Sequence, residues 1–136
     1  MITEVFDLSV GQEIPSRTLP PVTRLDLIKY AGASGDYNPI HTIDEAAEKA
    51  GLPGVIAHGM LTMGRMATLF SPYLERGFIR KFTTRFKGMV FLGDEITLKA
   101  VLVDKHGDTA RFDVTAVNQK GETVTAGQVE FCVRNK

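Results

Sequence analysis

Two side chains that can carry protons near neutral pH, Asp36 and His41, lie close together in the segment SGDYNPIHTIDEAAEKAG, residues 34–51. Pro39 disfavours a helical conformation at Asn38, so the stretch between them is not expected to be helical. The simplest interpretation is a turn, because Asp and Asn dominate turns. The alternative is an acid/base pair that orients one water, since a short, stiff segment can direct both side chains into one small volume.

The composition narrows the classes of function. A chain of 136 residues that is 43% hydrophobic and has zero formal net charge suits one globular domain spanning 1–136, without a nucleic-acid partner. Cys132 is the only cysteine, so no intrachain disulfide is possible and a reducing compartment fits. The N-terminal residues do not resemble a signal peptide, and no long uncharged apolar run occurs. We therefore expect a cytoplasmic protein without a membrane segment.

Helices are predicted on both sides of the Asp36–His41 loop. Before it, Thr23 can cap a helix together with Asp26 three residues later, and Gly32 is expected to end that helix. After it, Thr42 and Glu45 form the pattern of a capping box at the start of a second helix. The loop therefore lies between two helices.

A third helix is predicted over residues 58–72, where apolar residues cover more than one stripe. A helix that is apolar nearly all round is buried rather than surface-lying. Pro72 is expected to stop it.

The second half of the chain alternates in the manner of β-strands. Phe78, Phe82 and Phe86 are expected to share one face of the first strand, and three further strands are predicted, the last over residues 123–133. Helices followed by strands, rather than alternating with them, favour an α+β fold in which a curved antiparallel sheet wraps around the buried helix. Such a sheet has an open edge, so a dimer is expected.

Two motifs resemble those of a known family. The pattern Gly-Asp-x-Asn-Pro-x-His is complete at positions 35–41, and IAHGMLTMG follows at 56–64. Together they resemble the MaoC-like, or (R)-specific, enoyl-thioester hydratases of the hotdog fold, and the resemblance covers most of the chain. Relatives often have Pro where this chain has Met89. The resemblance implies a single hotdog domain, a homodimer with a heterodimer as the alternative, and no cofactor.

The resemblance also implies roles for three catalytic groups. Adding water across an α,β-unsaturated thioester needs a base for the water, an acid for the α-carbon and a stabiliser for the enolate-like oxygen. Asp36 and His41 would supply the proton transfers. The backbone amide of Gly59, at the start of the buried helix, would bind the thioester carbonyl oxygen, because the first amides of a helix have no intrahelical partner.

Further residues are candidates for substrate binding rather than for chemistry. They are Asn38, His58, Met60, Met63, Lys81 and Arg85. His58 is interpreted mainly as a structural residue that hydrogen-bonds loop backbone. Lys81 and Arg85 lie in the most basic stretch and are expected to face away from the phenylalanines, either as a solvated strand face or as a positive entrance for a thioester carrier. The spacing of Asp36, His41 and His58 matches no metal motif, so no metal is predicted.

Three functions compete. The first is reversible hydration of enoyl thioesters, running as a 3-hydroxyacyl dehydratase in reverse, with coenzyme A or an acyl carrier protein as the carrier. The second is thioester hydrolysis on the same fold, which usually places a carboxylate on the buried helix, and residues 58–71 contain none. The third is a non-catalytic acyl-binding partner subunit, which would be expected to have lost Asp36 or His41.

Overall fold

The computed structural model describes residues 5–134, which form a five-stranded sheet with helices on one side. The elements are β1 (Glu13–Thr18), α1 (Arg24–Ser34), α2 (Asp44–Lys49), α3 (Gly59–Ala67), β2 (Gly77–Phe86), β3 (Thr97–His106), β4 (Thr109–Val117) and β5 (Thr123–Val133). Short 3₁₀ helices span Val5–Asp7, Pro39–His41 and Thr68–Tyr73. Among the described residues, no helix is long and apolar enough to cross a membrane.

The sheet confirms the expected α+β arrangement. Its strand order is β1-β3-β4-β5-β2, and every neighbouring pair is antiparallel. Phe112 on β4 and Phe131 on β5 turn inward and meet Phe70, with ring centroids 5.0 Å and 6.0 Å away. These rings and Met66 of α3 are fully buried, so α3 and the 3₁₀ helix that follows it form the centre of the core against the sheet.

The helix ends differ in part from the predictions. Thr23 and Asp26 form the predicted reciprocal cap, in which Asp26 N–H donates to Thr23 Oγ1 (3.1 Å) and Thr23 N–H donates to Asp26 Oδ2 (2.9 Å). The predicted end at Gly32 is wrong: α1 continues to Ser34, and Gly35, with φ of 75°, ends it. Gly32 remains helical, whereas Gly35 takes the left-handed conformation that helix termination favours.

The predicted Thr42–Glu45 capping box is also wrong. Thr42 closes the 3₁₀ turn Pro39–His41, and the residue preceding α2 is Ile43, which makes no side-chain cap. The carbonyl of Thr42 accepts from Arg24 Nη1 (3.1 Å), and Glu45 pairs with Lys49 (3.2 Å) one turn later. The 3₁₀ turn that ends at His41 therefore leaves Thr42 unable to act as the cap.

The prediction that the third helix is buried on all sides is wrong for this chain by itself. Thr62 and Met66 are buried, but Met60 is 55% exposed. The α-helix also ends at Ala67 and continues as the 3₁₀ helix Thr68–Tyr73, which contains Pro72. One side of α3 is therefore open.

The three phenylalanines of β2 do not share one face. Ile79 pairs with Phe131 and Lys81 pairs with Glu130, so Arg80 is an extra residue that forms a bulge. The bulge reverses the alternation of side chains along β2. Phe78, before the bulge, points to the outer face of the sheet, whereas Phe82 and Phe86, after it, share the opposite face as predicted. Arg80 then reaches Glu130 (Nη2–Oε2 3.1 Å) on the outer face.

Candidate active site

The loop after α1 is held by a series of local hydrogen bonds. Asp36 N–H donates to Ser34 Oγ (3.1 Å), Asn38 N–H donates to Asp36 Oδ1 (3.2 Å), and Ile40 N–H donates to Asn38 Oδ1 (3.3 Å). These are the short-range bonds by which Asp and Asn build turns. The turn interpretation is therefore correct locally, and it is the turn that directs the second carboxylate oxygen of Asp36 away from its own backbone.

The turn brings Asp36 next to His41. Asp36 Oδ2 lies 3.9 Å from His41 Nε2, which is too far for a direct hydrogen bond. His41 Nδ1 lies 2.7 Å from the carbonyl oxygen of Ile56, and because a carbonyl only accepts, Nδ1 carries the proton. In the neutral ring, Nε2 therefore presents a lone pair towards the Asp36 carboxylate. One water can donate to both atoms at once.

His58 packs directly beneath this pair. Its ring stacks on His41 with centroids 3.8 Å apart and an interplanar angle of 22°, and its Nε2 lies 3.2 Å from the carbonyl oxygen of Asp36. The ring is only 2% exposed, and burial lowers the pKa of His58 although its contact with the Asp36 carbonyl opposes this. The predicted contact between His58 and loop backbone is present.

Gly59 begins α3 immediately after His58. Its amide is in the first turn of the helix and has no hydrogen-bond partner among residues 5–134. A Cβ at this position would lie 3.1 Å from the ring of Phe86, at the end of β2. Glycine therefore lets the aromatic ring pack against the helix start while the N–H remains available to an acceptor.

The other predicted binding residues are dispersed. Asn38 uses its side-chain oxygen within the turn, Met63 accepts from Thr84 Oγ1 (3.2 Å), and Met60 lies on the open side of α3. Lys81 and Arg85 pair with Glu130 and Ala126, which puts them on the outer face of the sheet. The structure thus gathers Asp36, His41, His58 and Gly59, and it does not bring Lys81 or Arg85 to them.

The same cluster offers three donor atoms, from Asp36, His41 and His58, within 4.8 Å of one another. Three such residues could be considered as metal ligands. However, the two imidazole planes are nearly parallel, so their in-plane lone pairs run side by side instead of converging. His41 Nδ1 and His58 Nε2 also face carbonyl oxygens. We therefore assign no metal to this cluster.

Residues 6–125 match the family described as MaoC like domain, with the Asp36–His41 turn and the Gly59 helix start both inside the match. The chain belongs to the MaoC-like domain family. A mitochondrial 3-hydroxyacyl-(acyl-carrier-protein) dehydratase of Arabidopsis thaliana is 34% identical over 71 residues, which are 52% of this chain and 43% of that protein. The peroxisomal enoyl-CoA hydratase 2 of the same plant is 32% identical over 101 residues, 72% of this chain and 31% of that protein.

The fold of this MaoC-like domain also matches a solved hydratase structure. The unliganded R-hydratase PhaJ1 from Pseudomonas aeruginosa has a TM-score of 0.89 at 27% identity, covering 98% of this chain and 87% of that one. The curated relatives are longer proteins, of which this chain spans between 4% and 43%. The hotdog fold expected from the sequence is thereby confirmed.

Three parts of the MaoC-like site were not anticipated from the sequence. They are the carbonyl of Ile56, which fixes the His41 tautomer, the ring of Tyr30, which meets His58 edge-on at 4.8 Å, and Phe86 beside Gly59. A backbone carbonyl has no sequence signal. Gly59 did carry a signal for Phe86, because a glycine at a helix start often marks close packing by another group.

Proposed function

We propose that this MaoC-like domain catalyses the reversible hydration of trans-2-enoyl thioesters to (3R)-3-hydroxyacyl thioesters. The observation that carries the proposal is the 3.9 Å separation of Asp36 Oδ2 and His41 Nε2, with the His41 lone pair directed at that gap. The family resemblance supplies the thioester and the (3R) outcome. Coenzyme A and an acyl carrier protein both remain candidate carriers.

The geometry supports a specific division of labour. A water in the gap donates one hydrogen to Asp36 and the other to His41 Nε2, which leaves an oxygen lone pair free to attack C3 of the enoyl thioester. Asp36 takes the proton as the C–O bond forms, and it returns a proton to C2, so that one water is added overall. His41 fixes and polarises the water. The Gly59 N–H binds the thioester carbonyl oxygen as negative charge develops on it.

The test is to incubate the purified protein with crotonyl-CoA and follow both the conjugated thioester absorbance and free thiol. A hydratase removes the absorbance without releasing thiol, and the product is (3R)-3-hydroxybutyryl-CoA by chiral analysis. Release of thiol would favour the hydrolase, although α3 carries no carboxylate. No change in either signal would favour the non-catalytic partner subunit.

We also propose that two chains pair through the β2 edge and the open side of α3. β2 is an edge strand, and exposed apolar residues cluster around it, among them Phe86, Met89 and Met60. An edge strand with an apolar margin is usually covered by a partner. A second copy would cover the side of α3 that this chain leaves open.

Sedimentation tests this assembly. We expect a dimer, and we expect Met60→Glu to shift the protein towards monomer because a charge would be buried at the interface. Leu25→Glu is the matched control, since Leu25 on α1 is 56% exposed and lies on another helix. A stable, active monomer of the unaltered protein would contradict the proposal. An inactive monomer would instead favour a heterodimer.

A positive entrance for the carrier at Lys81 and Arg85 remains a prediction. Arg85 and Lys87 line a groove of about 550 Å³ on the outer face, near the end of β2 that touches Gly59 through Phe86. Substituting Glu at both Lys81 and Arg85 should raise KM for crotonyl-CoA, most strongly at low salt, with little change in kcat. Crotonyl-pantetheine, which lacks phosphates, should not be affected.

The control for this double variant is Lys99→Glu, on β3. Lys99 is exposed, and two strands, β4 and β5, separate β3 from β2 in the sheet. Equal loss of activity with both substrates in the Lys81/Arg85 variant would mean that this face has a structural role.

A further inference from the structure

The most unusual polar group in the described part of the chain is the imidazole of His58. Its Nδ1 is buried and has no hydrogen-bond partner, while its Nε2 is 3.2 Å from the Asp36 carbonyl. A buried polar atom without a partner costs on the order of 1–3 kcal/mol, so such atoms are rare in folded proteins and need an explanation. The position directly under the Asp36–His41 pair suggests one.

The contacts determine which nitrogen of His58 carries the proton. The Asp36 carbonyl can only accept, so the Nε2 that faces it must donate. Nδ1 then holds a bare lone pair in a buried space. Protonating that nitrogen would place a charge in a buried site next to a second imidazole, which is unfavourable. Burial lowers the pKa of His58, which agrees with a ring that stays neutral.

We propose that His58 is a positioning residue that holds both members of the Asp36–His41 pair. Its Nε2–H ties down the main chain of Asp36, and its ring face supports the ring of His41 at 3.8 Å. This inference deepens the proposed hydratase function and rests on it. The titratable groups that face His58 are His41, Asp36 and Tyr30, whose ring meets it edge-on.

The two contacts serve different parts of the reaction. The hydrogen bond to Asp36 sets where the carboxylate lies, and displacing a reacting group by about 1 Å can cost on the order of 100-fold in rate. The stacked ring fixes the plane of His41, so its Nε2 lone pair stays directed at the water.

Two substitutions separate these contacts. His58→Phe keeps a ring under His41 but removes the donor to Asp36, whereas His58→Gln keeps a donor at a similar reach but removes the ring. We expect each to lower kcat for crotonyl-CoA by about 10- to 100-fold, with KM changed by less than about 3-fold. Because neither variant alters the Gly59 amide that would bind the thioester carbonyl, the loss should fall on kcat rather than on KM.

The stability of His58→Phe distinguishes positioning from a structural role. This substitution removes a buried unpaired nitrogen but also removes the donor to the Asp36 carbonyl, so the two effects on stability oppose each other. We expect the melting temperature to stay within about 4 °C of the wild type even though the activity falls. The control is His106→Gln, which removes an exposed histidine at the end of β3. This control should retain the wild-type kcat and KM.

A measurement without substrate tests the contacts themselves. Nitrogen NMR of the imidazoles in the wild-type protein should show His58 as the neutral Nε2–H tautomer through mildly acidic pH, and His41 as the Nδ1–H tautomer when neutral. A protonated Nδ1 on neutral His58 would overturn the proposal. So would wild-type kcat in His58→Phe, or activity that falls only in proportion to lost folded protein. If the wild type failed to hydrate crotonyl-CoA, the proposed hydratase function would be rejected, and the catalytic purpose of His58 with it. The tautomer of His58 would still show whether its Nε2–H donates to the Asp36 carbonyl.

Discussion

We expect Asp36→Asn to lower kcat/KM for crotonyl-CoA by about 100-fold or more while the protein remains folded. Asn retains an oxygen that can accept from the N–H of Asn38, which Asp36 Oδ1 now does at 3.2 Å, so the turn should be preserved. It loses the negative charge and the ability to take a proton from water. Asp36 is half exposed, and replacing it leaves the core untouched.

His41→Gln is expected to have a similar effect for a different reason. The ring donates to the Ile56 carbonyl from Nδ1 and presents its lone pair from Nε2, and no amide can provide both at that spacing. Asp104→Asn and His106→Gln are the matched controls, since both are exposed and outside the loop. Near-wild-type turnover by either Asp36→Asn or His41→Gln would reject the assigned pair. Because the two groups share one water, the pH profile belongs to the pair rather than to either residue.

Gly127→Ala should have the largest effect on stability. Gly127 on β5 pairs with Thr84 of β2, and a Cβ there would overlap the carbonyl oxygen of Thr83 and lie 2.8 Å from Thr84 Cα. Those atoms are backbone and cannot turn aside, so β2 must move away from β5. We expect the free energy of unfolding to fall by about 3 kcal/mol.

Denaturant unfolding checks this prediction, with Gly32→Ala as the control. Gly32 lies inside α1, is exposed, and a Cβ there would meet no atom within 4 Å. Replacing it should raise the free energy of unfolding by about 0.5–1 kcal/mol, because alanine favours the helix. Equal stability of the wild type and Gly127→Ala would contradict the close backbone approach of β2 to Gly127 on β5. Since β2 also carries Phe86 to Gly59, we expect activity to fall along with stability.

Local signals predicted much of the fold, and they failed where one element depends on another. The Thr23–Asp26 cap and the alternation of β4 depend on near neighbours and were predicted correctly. β1 was not among the predicted strands, because it contains Pro15 and buries only Ile14, and its pairing partners on β3 lie 79 to 88 residues further along the chain. The Arg80 bulge was missed for a related reason: register is set by the partner strand, here β5.

By itself, the sequence determined the α+β class, the family, and the pairing of Asp36 with His41, because these follow from residue types and short spacings along one turn. The tertiary structure decided the rest of the site. The proton on His41 is placed by a carbonyl 15 residues away, at Ile56, and the ring that supports it comes from His58, at the start of another helix. Neither contact leaves a local pattern, since a backbone carbonyl is present at every position and only the packing of α1, α3 and β2 brings these groups together.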